Sequence, residues 1–210
     1  MGRNTFFAAL VTVVIVLLIF GLTAFSGTSQ NTTPQPQTQD MDSHHDSKEA
    51  EEQIFTSLLS KEAPDFTLES YDGKQVNLKQ LRGKKVVLFF TEGLMCYPSC
   101  WNQMAAFGKD PAFNAADTVT LNITVDKKDE WRQAVNRMPD LTKTTVLFDS
   151  NRVVSNEYGV LTLPSSMHKG QFPGHTYVIL DRNGIVRFIK DDPQMAIRND
   201  ELKEKLQIIE

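Results

Sequence analysis

The chain has 210 residues, 40% of them hydrophobic, with a formal net charge of −4 at pH 7 and two cysteines. An acidic balance with no basic stretch leaves no electrostatic footprint for nucleic acid. No internal repeat, Walker-type phosphate loop or dinucleotide glycine fingerprint occurs in it either.

Arg3 precedes an almost unbroken apolar stretch from Phe6 to Phe25. At about 1.5 Å per residue, ~20 residues span a ~30 Å hydrocarbon core, whereas the apolar region of a secretory signal runs to only ~7–15. Residues 1–25 are therefore expected to form an uncleaved transmembrane signal anchor, although small residues around Ala24 and Ser26 leave cleavage open. With no competing charge before Asp40, the positive-inside rule predicts a single-pass protein of the cell membrane whose C-terminal domain faces the extracytoplasmic side. No cysteine lies near the end of the span to carry a lipid. Residues 26–46, rich in Ser, Thr, Gln, Asn and Pro, read as a disordered linker. Its Met41, His44 and His45 are either simply solvated or a loose metal-binding group.

Residues 47–210 have the length of one ordinary domain with a real core. An amphipathic helix is predicted over 47–61, with Ile54, Phe55, Leu58 and Leu59 on one face. Strands are predicted over 65–68 and 75–78 about the Asp72-Gly73 turn, and a buried strand over 86–90. Beyond them the pattern predicts helix 101–107, strand 118–125, helix 128–138, strand 145–148 and a short helix 152–158. A hairpin of 176–180 and 185–189 turns on Asp181-Arg182-Asn183-Gly184, and helix 200–208 closes the chain. Strands alternating with helices and then a terminal hairpin imply an α/β domain of three layers around a mixed sheet.

Cys96 and Cys100 sit in Cys96-Tyr97-Pro98-Ser99-Cys100, immediately after the apolar run Val86-Val87-Leu88-Phe89-Phe90. A strand, a loop and then a helix give a thiol the partial positive charge of a helix N-terminus, which favours the thiolate that attacks disulfides and peroxides or binds metals. The spacing brings the two Cα atoms near ~6 Å, within disulfide range. A purely stabilising bond is the other reading, but it would close too small a loop to remove much unfolded-state entropy. Ser99 is a candidate helix cap behind Pro98. Trp101 and Glu92 are candidates for shaping the substrate loop, Trp101 reading as a packing lid before a catalyst, and Glu92 as a proton shuttle if buried or as a solvated acid if not.

Several segments resemble the thioredoxin-fold redoxins, which include peroxiredoxins of the alkyl-hydroperoxide-reductase type, membrane-tethered thioredoxins and Sco-type copper-assembly proteins. The carriers are Ala63-Pro64-Asp65-Phe66-Thr67-Leu68, Gly73-Lys74-Gln75-Val76-Asn77-Leu78 with Leu81-Arg82-Gly83-Lys84, the strand into the cysteine loop, and Tyr177-Val178-Ile179-Leu180-Asp181-Arg182-Asn183-Gly184. The resemblance implies a thioredoxin-like fold, a mixed central sheet with flanking helices. By analogy with thioredoxins Cys96 is the attacking and Cys100 the resolving thiol, while the nearness of Cys100 to the peroxidatic position of a peroxiredoxin leaves the opposite order open. Neither cysteine matches the peroxiredoxin pattern P-x-x-x-[T/S]-x-x-C, and the position of that group's arginine falls near Gly174. The spacing from Tyr158-Gly159 to Pro164 is that of thioredoxins, so Pro164 is either a cis-proline that shapes the substrate loop or a plain turn proline. Sco-type proteins combine C-x-x-x-C with a histidine, matched here by His175. That residue is thereby a copper ligand, a proton-handling neighbour of the dithiol, or a strand-end histidine with no role; His168 reads as inert. Met95, Met104 or Met167 would add a thioether.

The resemblance thus implies a membrane-anchored extracytoplasmic thiol oxidoreductase that uses Cys96 and Cys100, without a cofactor, on a disulfide or peroxide. Its partners would be the membrane, through the N-terminal helix, and a thiol or disulfide protein. The alternative is a Sco-like copper-binding assembly chaperone that holds copper with Cys96, Cys100 and His175.

Overall fold

The computed structural model of the protein describes residues 50 and 52–209. The expected anchor over 1–25 and linker over 26–46 lie outside the described residues, among which no helix is long and apolar enough to cross a membrane. In chain order, helix α1 (52–57) precedes strands β1 (Thr67–Ser70), β2 (Gln75–Asn77) and β3 (Lys85–Phe90). Helix α2 (Ser99–Lys109), β4 (Thr118–Thr124), α3 (Arg132–Arg137), β5 (Thr145–Phe148) and α4 (Val153–Glu157) follow. Strands β6 (Thr176–Leu180) and β7 (Val186–Asp191) and helix α5 (Asn199–Ile208) complete the domain.

The run Val86–Phe90 is apolar on both faces, so the strand that carries it needs cover on both sides. It is found at an interior position of one seven-stranded sheet ordered β2-β1-β5-β4-β3-β6-β7. Strands β3, β4 and β5 run parallel, while β6 pairs antiparallel with β3, placing Phe89 opposite Tyr177 and Phe90 opposite Thr176. Because side chains alternate along a strand, Val86, Leu88 and Phe90 enter one core with Phe55, Leu147, Tyr158 and Val178. Val87 and Phe89 enter the other with Phe107, Trp131, Tyr177 and Leu206. Two cores on opposite faces of a mixed sheet form the expected three-layer architecture.

Boundaries moved where local chemistry overrode the pattern. The first hairpin sits two residues later at its start, over Thr67–Ser70, and pairs in register Thr67 to Asn77. Residues 128–131 are not helical: Glu130 and Trp131 N–H groups donate three residues back to Lys127 and Lys128, and these tight turns drive Trp131 fully into the core. The helix is confined to Arg132–Arg137, and Pro139 prevents its extension. Helix α1 ends before Ser60, which adopts a left-handed φ of 66°. Its inward face is Phe55 and Leu58, whereas Ile54 and Leu59 are exposed, so the predicted four-residue apolar face is half realised.

Candidate active site

Helix α2 begins at Ser99 with Pro98 in the cap position and no capping side chain, so Ser99 is the first helical residue and not the cap. Its first-turn N–H groups are left to other partners. The Cys100 N–H donates to the Cys96 carbonyl at 3.0 Å and also lies 3.3 Å from Cys96 Sγ. Cys96 ends a one-turn 3₁₀ helix, Gly93–Met95, whose geometry rests on Gly93 at φ 58°. The Gly93 carbonyl accepts the Cys96 N–H at 3.2 Å and the Trp101 indole N–H at 2.8 Å. Trp101 therefore ties helix to loop from a buried position, as its reading as packing requires.

Cys96 and Cys100 form a disulfide with Cα atoms 5.4 Å apart. Both are buried, while Met95 and Tyr97, on either side of Cys96, are 54% and 44% exposed. The Arg137 guanidinium lies 3.8 Å from the centre of the Tyr97 ring. Beside the disulfide, a groove of about 470 Å³ is lined by Leu94, Met95, Tyr97, Trp101, Asp126 and Arg137 among others.

His175, on the residue before β6, places Nδ1 3.4 Å from Cys100 Sγ. Its Nε2 is 2.7 Å from the Tyr177 hydroxyl and 3.2 Å from the Ala196 carbonyl oxygen. The ring stands edge-on to Phe89 at 4.7 Å between centroids. On the other side of the disulfide, Met195 Sδ is 3.9 Å from Cys96 Sγ. The donor atoms of Cys96, Cys100 and His175 lie within 4.8 Å of one another, a donor set that fits a soft metal once the disulfide is reduced. The thioether found here is Met195, not Met95 or Met167, which are exposed, nor Met104, which is fully buried in the core.

Burial disfavours the charged imidazole and brings the His175 pKa from 6.5 down to about 4, with the Asp192 carboxylate opposing the shift and Arg198 adding to it. Between those two pH values the unfolded chain binds a proton that the folded chain does not. Stability is therefore complete above pH ~6.5 and falls on acidification toward pH 4, by about 3 kcal/mol from this group alone. Thermal unfolding of the oxidised chain between pH 7 and pH 4 measures it; a His175→Asn variant is expected to show a flatter dependence across that window. An unchanged slope would mean that another group carries it.

The other expected residues take different places. Glu92 is fully buried, and its Oε1 accepts the backbone N–H groups of Met167 at 2.6 Å and His168 at 3.2 Å. The His168 ring approaches Glu92 Oε2 at 3.5 Å, so His168 is a neighbour of a buried acid and not an isolated loop residue. Pro164 is exposed on a turn, and the one cis peptide among the described residues is Tyr97-Pro98, which corrects the cis reading of Pro164. The entrance to β6 is instead held by Ser165, whose hydroxyl oxygen accepts the His175 N–H at 2.7 Å. Thr91 accepts the Gly93 N–H, and a side chain at Gly174 would strike Ser165 and the Ser166 backbone, so Gly174 leaves no room for a peroxiredoxin-type arginine. Sequence reasoning missed Gln103, Tyr177 and Met195 at the site. Only the polar Gln103 within an otherwise apolar helix face offered a signal.

The AhpC/TSA family model matches residues 59–189. Chloroplastic peroxiredoxin Q of Suaeda salsa is 32% identical over 127 residues, 60% of this chain and 56% of that protein, so the chain spans little more than half the length of this relative. Peroxiredoxin Bcp of Escherichia coli K12 is 27% identical over 140 residues, covering 66% of this chain and 88% of that protein. Among solved structures, reduced 2-Cys peroxiredoxin of Plasmodium vivax superposes with a TM-score of 0.60 at 25% identity, over 71% of this chain and 80% of that one.

Proposed function

Because the chain belongs to the AhpC/TSA family, we propose that it is a thiol oxidoreductase that reduces peroxide or disulfide substrates with the Cys96/Cys100 dithiol. The observation that carries this reading is the Cys96–Cys100 disulfide at the mouth of β3, with a helix N–H on one sulfur and an imidazole on the other. The N–H of the first helical turn favours negative charge on Cys96, which makes it the attacking thiolate. With a peroxide, the Cys96 thiolate takes the distal oxygen to give a sulfenic acid, and the remainder leaves with a proton as an alcohol, or as water from hydrogen peroxide. Cys100 then displaces hydroxide, which leaves as water, and the disulfide forms. With a disulfide, Cys96 forms a mixed disulfide and releases one thiolate, and Cys100 releases the second. An external thiol donor of either kind restores the dithiol. In this reading the N-terminal segment anchors the domain on the extracytoplasmic side of the membrane.

Stopped-flow tryptophan fluorescence of the reduced full-length chain, with Trp101 next to Cys100 as reporter, tests it. A second-order change with hydrogen peroxide or with a small disulfide, faster than an ordinary thiol gives, is expected. A response no faster than that of free cysteine to both would sink the reading.

A second reading is supported by the same clustering of donors. In the reduced state Cys96, Cys100 and His175, with Met195 beside them, would hold copper(I) as cargo. Titration of the reduced chain and of His175→Ala with copper(I) against a competing chelator decides it, because two thiolates alone already bind copper(I) and only a site that uses the imidazole loses most of its affinity in the variant.

A further inference from the structure

Gln103 plays no part in the chemistry above, yet its side chain is wholly buried on the same helix face as Cys100, three residues on. We infer that Gln103 is a positioning residue which, through Tyr177, holds His175 with its proton on Nε2 and a bare Nδ1 lone pair facing Cys100 Sγ.

The direction of every hydrogen bond in this chain of contacts is set by groups that have no choice. The backbone N–H of Arg198 can only donate, and it meets Gln103 at 2.7 Å, so the atom there is the carbonyl oxygen Oε1. From the opposite end, Asn199 lies 3.2 Å from the Ala106 carbonyl and 3.3 Å from an Asp110 carboxylate oxygen, so its NH₂ group points there. Its oxygen then receives the Gln103 amide N–H at 2.9 Å, which agrees with the first assignment. Tyr177 lies 2.9 Å from Gln103 Oε1 and 3.4 Å from the Ala196 carbonyl, and gives its single proton to the nearer oxygen. The phenol oxygen is left to accept from His175 Nε2, 2.7 Å away.

The opposite tautomer would set an Nε2 lone pair against the Ala196 carbonyl at 3.2 Å. It would also turn the Tyr177 proton away from Gln103, leaving two buried acceptor oxygens in contact. Little on the Nδ1 side compensates, because among the described residues its hydrogen-bond partner is the sulfur of Cys100, a weak acceptor.

The inference rests on the proposed thiol chemistry only for the use of that lone pair. During closure the Cys100 S–H bond breaks as Nδ1 takes the proton, and the sulfur pair forms the bond to Cys96. The hydroxide or thiolate displaced from Cys96 carries the proton away.

Long-range ¹H–¹⁵N correlation spectra of the reduced full-length chain in detergent, labelled at histidine, read the tautomer directly. The pattern of an imidazole protonated at Nε2 is expected for His175. It should give way to a mixture in Gln103→Met and in Tyr177→Phe. It should persist in Gln103→Glu, whose buried carboxyl stays protonated and so keeps both an acceptor and a donor. Disulfide closure after one oxidising equivalent should slow by about tenfold or more in Gln103→Met. A wild-type proton on Nδ1, or a tautomer unmoved in both Gln103→Met and Tyr177→Phe, would overturn the inference. A tautomer that moves while closure keeps its rate would uphold the positioning and overturn the proton transfer assigned to Nδ1.

Discussion

Cys96→Ser is expected to lower the rate of reaction with either oxidant by at least about 10³-fold, whereas Cys100→Ser is expected to react once at close to the wild-type rate and then stall. The asymmetry comes from what each sulfur touches. Cys96 Sγ receives the Cys100 N–H at the start of α2 and is flanked by the exposed Met95 and Tyr97, so charge on it is favoured and the route to it is short. Cys100 is fully buried beneath it, against His175, in the position of a thiol that acts on the first product and not on the substrate. Mass spectrometry of each variant after one equivalent of oxidant reads the outcome: a stable adduct on Cys96 in Cys100→Ser and none on Cys100 in Cys96→Ser. The reverse pattern would exchange the two roles.

Gly93→Ala is expected to destabilise the domain by about 2–5 kcal/mol and to slow the first chemical step together with it. Gly93 has φ 58°, and a Cβ there would fall on the Asp126 carboxylate and the Thr124 hydroxyl. Those two groups cannot retreat freely, because Thr124 donates to Asp126 Oδ2 at 2.7 Å and the Leu94 N–H donates to the same oxygen at 2.8 Å. Since the Gly93 carbonyl also holds the Cys96 N–H and the Trp101 ring, any shift is passed to Cys96 Sγ. Gly83, at φ 90° with open space where a Cβ would stand, supplies the control. Gly83→Ala should cost only the backbone strain, about 1–2 kcal/mol, and leave the kinetics alone. Equal losses in the two variants, measured by denaturant unfolding, would show that crowding at Gly93 contributes nothing.

Much of this architecture was legible because its signals are periodic. The two-sided apolar run at 86–90 required an interior strand, and the alternation after it required layers on both faces. The pairing of Cys96 with Cys100 followed from spacing alone, and His175 was a candidate through the resemblance to Sco-type proteins, which place a histidine before the corresponding strand. What was not legible depends on contacts between residues far apart in sequence. Gln103 has no local pattern linking it to Tyr177 or Arg198. Pro164 carried a familiar spacing, yet the ten residues between it and His175 form a loop in which Ser165 takes over the entrance to β6. Glu92 could be placed beside the cysteine loop, but that its carboxylate holds the backbone of Met167 and His168 is a matter of tertiary packing.

The order of these contacts along the chain has a consequence in time. His175 follows Cys100 by 75 positions, and Arg198 follows Gln103 by 95. At about 5–20 residues per second of synthesis, roughly 5–20 seconds separate the emergence of the two thiols from that of the last groups that orient their imidazole. A nascent chain therefore presents Cys96 and Cys100 as ordinary sulfurs, open to whatever redox partners its surroundings hold. Only the finished polypeptide brings Gln103, Tyr177 and His175 into contact around them.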